Sequence, residues 1–227
     1  LFYIAFFPGL FAISASFLLK DKNNIHPKEK KSTPFFSSFN YWKESPTIYR
    51  KVVIGLLAFA LFNSSDVFLL LKAKQSGLSD TLVIGIYIFY NLVYALCAFP
   101  IGILADKIGL KKMFISGLSL FIIVYLGMGL STDSYVIAGL FLLYGIYAAA
   151  TEGIAKAWIS NITDKKDTAT AIGTYSGFQS ICAMLASSLA GLIWYQFGAS
   201  ETFMVTGFAT ILIVFYFVFW VKMKVGK

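Results

Sequence analysis

The stretch Gly102-Ile103-Leu104-Ala105-Asp106-Lys107-Ile108-Gly109-Leu110-Lys111-Lys112 places a knot of glycine and charge between two long apolar runs. The flanking segments, 81–104 and 113–130, contain no Asp, Glu, Lys or Arg. A helix needs roughly 20 apolar residues to cross a hydrocarbon core of about 30 Å, so each flank is long enough to span a bilayer and the charged knot marks a reversal outside it. Working outward, comparable runs occur at 1–19, 51–71, 135–159, 169–194 and 202–221. The expected fold class is therefore all-α, a polytopic membrane helical bundle with seven transmembrane helices.

Composition agrees and excludes other classes. The chain is 58% hydrophobic and 13% charged, with a mean hydropathy of +0.76, far from a soluble globular domain. Its net charge of +8 does not point to nucleic acid, because the basic residues sit in short loops and form no continuous face. Cys97 and Cys182 lie far apart inside apolar runs, and the lone His26 lies in a polar segment, so no metal, cofactor or disulfide framework is indicated. An intramembrane enzyme would show clustered His, a Ser/His pair or paired acids at metal spacing, and none is present. A non-transporting receptor or scaffold is the remaining alternative.

The opening run, 1–19, is broken by Pro8-Gly9 and has no basic region or cleavage site, so it reads as the cut end of a membrane helix. Residues 20–50 then turn to Lys, Asn, Ser and Pro and form the long linker. Within it Thr33-Pro34 can start a short helix bearing Phe35, Phe36, Phe39 and Trp42 at helical spacing, suited to the headgroup region. The expected organisation is 1–19, 20–50 and a six-helix unit over 51–227.

Loop charge sets the orientation. Alternate loops collect seventeen Lys and Arg on one side, while the other side holds only Lys72 and Lys74. Cytoplasmic loops are the ones that accumulate basic residues, which places the linker, the Gly102–Lys112 loop, the loop around Lys165 and the C-terminus in the cytoplasm.

Gly102-x-x-x-Asp106-Lys107-x-Gly109-x-Lys111-Lys112 between two membrane helices resembles the signature loop of the major facilitator superfamily, with Leu110 departing from the usual basic or small residue. Segments around Asn63–Lys74, Thr151–Ala157 and Thr170–Tyr175 resemble a prokaryotic group of its permeases. The resemblance implies the last helix of an N-terminal half, the central cytoplasmic loop and a whole C-terminal half. It implies transport of a small solute by alternating access across a prokaryotic inner membrane, proton-coupled, with the other half of the transporter and the lipid bilayer as partners. The two glycines are expected to make the turn, Asp106 to face a helix N-terminus and the lysines to hold the headgroup surface.

Ionisable residues inside the membrane cost roughly 2.5–3.5 kcal/mol each at a helix centre, so they mark function. Asp66 follows Asn63 by three residues and is expected to share its helix face, as a proton or substrate site if the helix runs on to a cap at Gly77; an outer-end hydrogen bond or ion pair is the alternative. Glu152 and Lys156 stand at i, i+4 in the order that favours an ion pair. They lie roughly 10 and 5 Å from the helix end, and a latch with Asp106 and Lys107 is expected there. Tyr87, Asn91 and Tyr94 form a polar stripe that, with Tyr144, Tyr147 and Gln179, is expected to line a cavity. Gly173 and Gly177 are spaced for close helix packing. The runs 113–130 and 202–221, lacking ionisable residues, are expected to be peripheral and lipid-facing.

Overall fold

In hydrocarbon a backbone finds hydrogen-bond partners only within its own helix or a closed barrel, and long apolar runs of this kind resolve as helices. The computed structural model describes Ser14 and residues 37–221, and the chain divides into two compact units, Leu1–Pro34 and Phe35–Lys227. Within the second unit the helices are α1 (Ser37–Glu44), α2 (Thr47–Ala60), α3 (Val67–Gln75), α4 (Asp80–Ile108), α5 (Leu110–Leu130), α6 (Ser134–Ile162), α7 (Thr168–Phe197) and α8 (Ala199–Phe219). The last five, α4 to α8, are long and apolar enough to cross a membrane. The expected first span and most of the linker, with Phe35 and Phe36, fall outside the described residues.

The run 51–71, expected as one span, is a broken helix. α2 stops at Ala60 and α3 starts at Val67, with Asn63, Ser64, Ser65 and Asp66 in the gap. Short polar side chains offer the backbone hydrogen bonds outside the helical ladder, and four in succession tip that competition. The Asn63 amide still reaches back to the Phe59 carbonyl, but the Ser65 amide donates to Ser187 Oγ of α7 at 3.2 Å and the Val67 amide to Ser65 Oγ at 3.4 Å. Asn63 and Asp66 therefore do not share a helix face. Gly77, at φ 97°, closes this segment as anticipated.

Of the two glycines in the signature loop, only Gly109 makes the turn. Its φ of 95° lies in the region that L-residues avoid, and it ends α4 and begins α5 in a single residue. Gly102 lies inside α4, where an added Cβ would meet nothing within 4 Å. Lys111, half-buried, donates to the Val221 carbonyl at 2.7 Å and the Val218 carbonyl at 3.4 Å, so it caps the C-terminal end of α8. Lys107 and Lys112 are exposed.

The core lies among α2, α4, α5, α6 and α8 and is aromatic: Phe121 stacks on Tyr125 at 3.9 Å, Phe114 meets Phe217 at 5.3 Å, and Phe59 meets Phe121 at 5.0 Å. Small residues permit close helix approaches, at Gly117 against Ala150 and Thr151 and at Gly145 against Tyr90 and Val93. Gly173 and Gly177, in contrast, are exposed with open space around them, so the packing expected of them is not made among the described residues. The runs expected to be peripheral are among the better buried: 50% of the apolar window of α5 and 39% of that of α8 are inside the bundle, against 11% for α4 and α7. An apolar helix gives no sign in its sequence of whether lipid or protein will cover it.

α1 does not float free of the bundle. Trp42 packs edge-on against Tyr49 of α2 at 6.3 Å and Phe178 of α7 at 6.0 Å, and the Tyr49 hydroxyl donates to the Ala171 carbonyl at 2.8 Å. Burial, then Asp167 and Asp164 nearby, push the Tyr41 phenol above its ordinary value.

Candidate functional site

Asp66 occupies the N-terminal edge of α3 without capping it, and its carboxylate turns instead toward α4 and α6. Oδ2 accepts from the Tyr90 hydroxyl of α4, and Oδ1 accepts from the Tyr144 hydroxyl of α6 at 2.5 Å. Hydrogen bonds to a charged acceptor are short and contribute about 1.5–3 kcal/mol each, so the pair offsets much of the cost of keeping the carboxylate in the bundle. The two rings meet at 5.4 Å, Tyr144 continues to Tyr147 at 5.2 Å, and the Tyr125 hydroxyl is buried with no hydrogen-bond partner among the described residues. Tyr90 was missed in the sequence, where the stripe Tyr87, Asn91, Tyr94 drew the eye past it.

A separate cavity of about 230 Å³ lies between α2, α5, α6 and α7. Asn63 enters it from the helix break, Glu152 and Lys156 from α6, and Gln179 from α7; Tyr147 and Tyr175 add phenol rings, and Leu56, Phe59 and Phe114 an apolar wall. Asn63 Oδ1 is buried with no hydrogen-bond partner among the described residues. Glu152 and Lys156 do not close into the expected ion pair; among the described residues the salt bridge present is Lys74 to Asp80, at 2.8 Å. Tyr94 of α4 stands near Glu152 across the helix interface.

Behind Glu152 a groove of about 280 Å³ runs between α4 and α6, lined by Tyr94, Ala98, Gly102 and Asp106 on one side and Ala149, Gly153 and Ala157 on the other. Asp106 is exposed at its end, and among the described residues no salt bridge joins it to Glu152 or Lys156, so the contacts expected of a latch are not made. Tyr87 and Asn91 stand on the open face of α4, where the Asn91 amide donates back to the Tyr87 carbonyl at 2.8 Å. The residues singled out in the sequence thus separate: Asn63, Glu152, Lys156 and Gln179 share the cavity, Asp66 and Tyr144 share the carboxylate cluster, and Tyr94 and Asp106 line the groove. Among the described residues no group of His, Cys, Asp and Glu is placed to hold a metal ion.

Apolar helices around a polar, charge-lined cavity, with one helix broken beside it, define an integral membrane protein of the helical-bundle class. Residues 54–226 match the model of the Major Facilitator Superfamily, and the chain belongs to that family. It is 32% identical over 158 residues to an uncharacterised MFS-type transporter of Methanocaldococcus jannaschii, a match covering 67% of this chain and 40% of that protein. The chain thus matches less than half the length of that relative.

Proposed function

We propose that this chain forms the C-terminal half of a secondary active transporter that moves a small organic solute by alternating access, with a proton carried on Asp66 or Glu152. The observation that carries the reading is the convergence of Asn63, Glu152, Lys156 and Gln179 on one cavity, a few residues along the chain from a carboxylate held by two tyrosines. An ionised Asp66 accepts both hydroxyls; a protonated one must itself donate, so one tyrosine hydroxyl has to turn and accept. Proton arrival thereby biases the packing of α3 against α4 and α6, which is the differential interaction that coupling requires. Asp106 and its loop act as the cytoplasmic gate, with the groove beside Gly153 and Ala157 as the space it closes. The linker and C-terminus face the cytoplasm of a prokaryotic inner membrane, and an N-terminal half completes the solute site.

The test uses the full-length protein in proteoliposomes with a solute identified from a panel. Asp66→Asn and Glu152→Gln should each be measured for uptake driven by a pH gradient and for solute exchange without one. Loss of driven uptake with exchange retained in one of them locates the coupling acid. Unchanged driven uptake in both removes proton coupling from this half, and absence of any exchange in the wild type favours a non-transporting receptor or scaffold.

A further inference from the structure

We infer that the cavity between α2, α6 and α7 takes a small zwitterion, with its ammonium toward Asn63 and Glu152 and its anionic group toward Lys156. The inference rests on the transporter reading for the route the solute follows and on the cavity alone for its chemistry. Three observations converge. First, Glu152 and Lys156 line the same cavity on the same helix yet do not neutralise each other, although their i, i+4 spacing allows it. The group that stands near Glu152 across the helix interface, Tyr94, is a neutral phenol and leaves the carboxylate charge in place. Second, Asn63 Oδ1 is buried and unpaired among the described residues, an acceptor in the same cavity as the Glu152 carboxylate. An acceptor left without a donor is costly, and a solute ammonium supplies several N–H groups at once. Third, the order along α6 separates the signs: Lys156 lies one turn beyond Glu152, about 6 Å along the axis at 1.5 Å per residue, a span within reach of the two charges of a short amino acid.

Solutes of one sign fit less well. A simple anion would meet Glu152 and Asn63 Oδ1, both repulsive to it, and a simple cation would leave Lys156 facing it from one turn away. The volume of about 230 Å³ holds on the order of eight waters at about 30 Å³ each, which suits a solute of about that many non-hydrogen atoms. Leu56, Phe59 and Phe114 supply an apolar wall for its carbon skeleton.

The test is thermal unfolding of the purified full-length protein, followed by tryptophan fluorescence, with 4-aminobutyrate, L-valine and β-alanine set against butyrate and butylammonium. At least one zwitterion should raise the midpoint while both singly charged compounds leave it unmoved. Glu152→Gln and Lys156→Met should each weaken that binding by about tenfold or more, the loss expected for one charged hydrogen bond, and Lys156→Arg should restore it. Should either charge-removal variant fail to fold, the probe comparison on the wild type decides alone. The inference is overturned if no zwitterion shifts the midpoint, if butyrate or butylammonium binds as tightly, or if both charge-removal variants keep wild-type affinity. Counterflow in liposomes separates it from the transporter reading. A zwitterion that binds but is not exchanged refutes transport and upholds the solute class, and exchange of butyrate or butylammonium alone upholds transport and refutes the class.

Discussion

Two glycines on α6, Gly145 and Gly153, should respond oppositely to the same substitution. An alanine methyl at 145 would lie 2.7 Å from the Tyr90 carbonyl oxygen and 2.9 Å from Val93 Cβ, whereas at 153 it would meet nothing within 4 Å. The nearest atom at 145 is backbone, so no rotamer change relieves the contact and α4 must move away from α6. Overpacking of this kind costs about 1–3 kcal/mol. The gain in helix propensity from Gly to Ala is about 1 kcal/mol at either site. With the rigid contact at the upper end of the range, Gly145→Ala should destabilise the protein by about 2 kcal/mol, and Gly153→Ala should stabilise it by up to about 1 kcal/mol. Reversible unfolding of the purified protein in mixed micelles, read by tryptophan fluorescence against increasing SDS, measures both. Gly145→Ala should also disturb Asp66, because the strand of contact it pushes on carries Tyr90. A Gly145→Ala protein as stable as the wild type, or two variants shifting in the same direction, would refute the packing described for the α4–α6 crossing.

Further outcomes follow from the same contacts. Lys111→Met should cost about 1–2 kcal/mol in the same unfolding assay by uncapping α8, and Lys111→Arg should recover part of it, since a guanidinium can still donate to the Val218 and Val221 carbonyls. Tyr144→Phe should destabilise by about 1.5–3 kcal/mol through the carboxylate left short of a donor. The same change made on an Asp66→Asn background should cost less, and an additive double-mutant cycle would show that the two groups do not interact.

Much of the fold is readable from the sequence because hydrocarbon enforces it. The five uninterrupted helices follow from uncharged or nearly uncharged runs, and Gly109 and Gly198 stand where the chain turns with positive φ. The break at 61–66 was also written in the sequence, as four short polar residues in a row, but was interpreted as one polar face of a continuous helix. What decides between the two is Ser187 on a distant helix, which gives the freed Ser65 amide a partner. Glu152 and Lys156 illustrate a similar limit: their spacing permits a pair within the helix, yet the two side chains do not meet. Burial of α5 and α8 was misjudged for a different reason, since lipid and protein are equally apolar neighbours. Asn63, Glu152, Lys156 and Gln179 stand out in the sequence because a polar group in a membrane run has few reasons to be there, but of the residues expected to line a cavity only Tyr147 and Gln179 line this one. Their division between cavity, cluster and groove depends on helix rotation, which no single run discloses.

The two tyrosines that hold Asp66 also fix how this site meets the membrane potential. A hydroxyl donates a hydrogen bond but no charge, and no salt bridge to Asp66 is found among the described residues. In its ionised form the carboxylate therefore keeps a whole negative charge within the field, where transfer of one elementary charge across the full membrane is worth about 2.3 kcal/mol per 100 mV. Loaded with a proton, the same group is electrically silent. Under the proposed proton coupling, voltage therefore acts on the deprotonated form of this site and spares the protonated one.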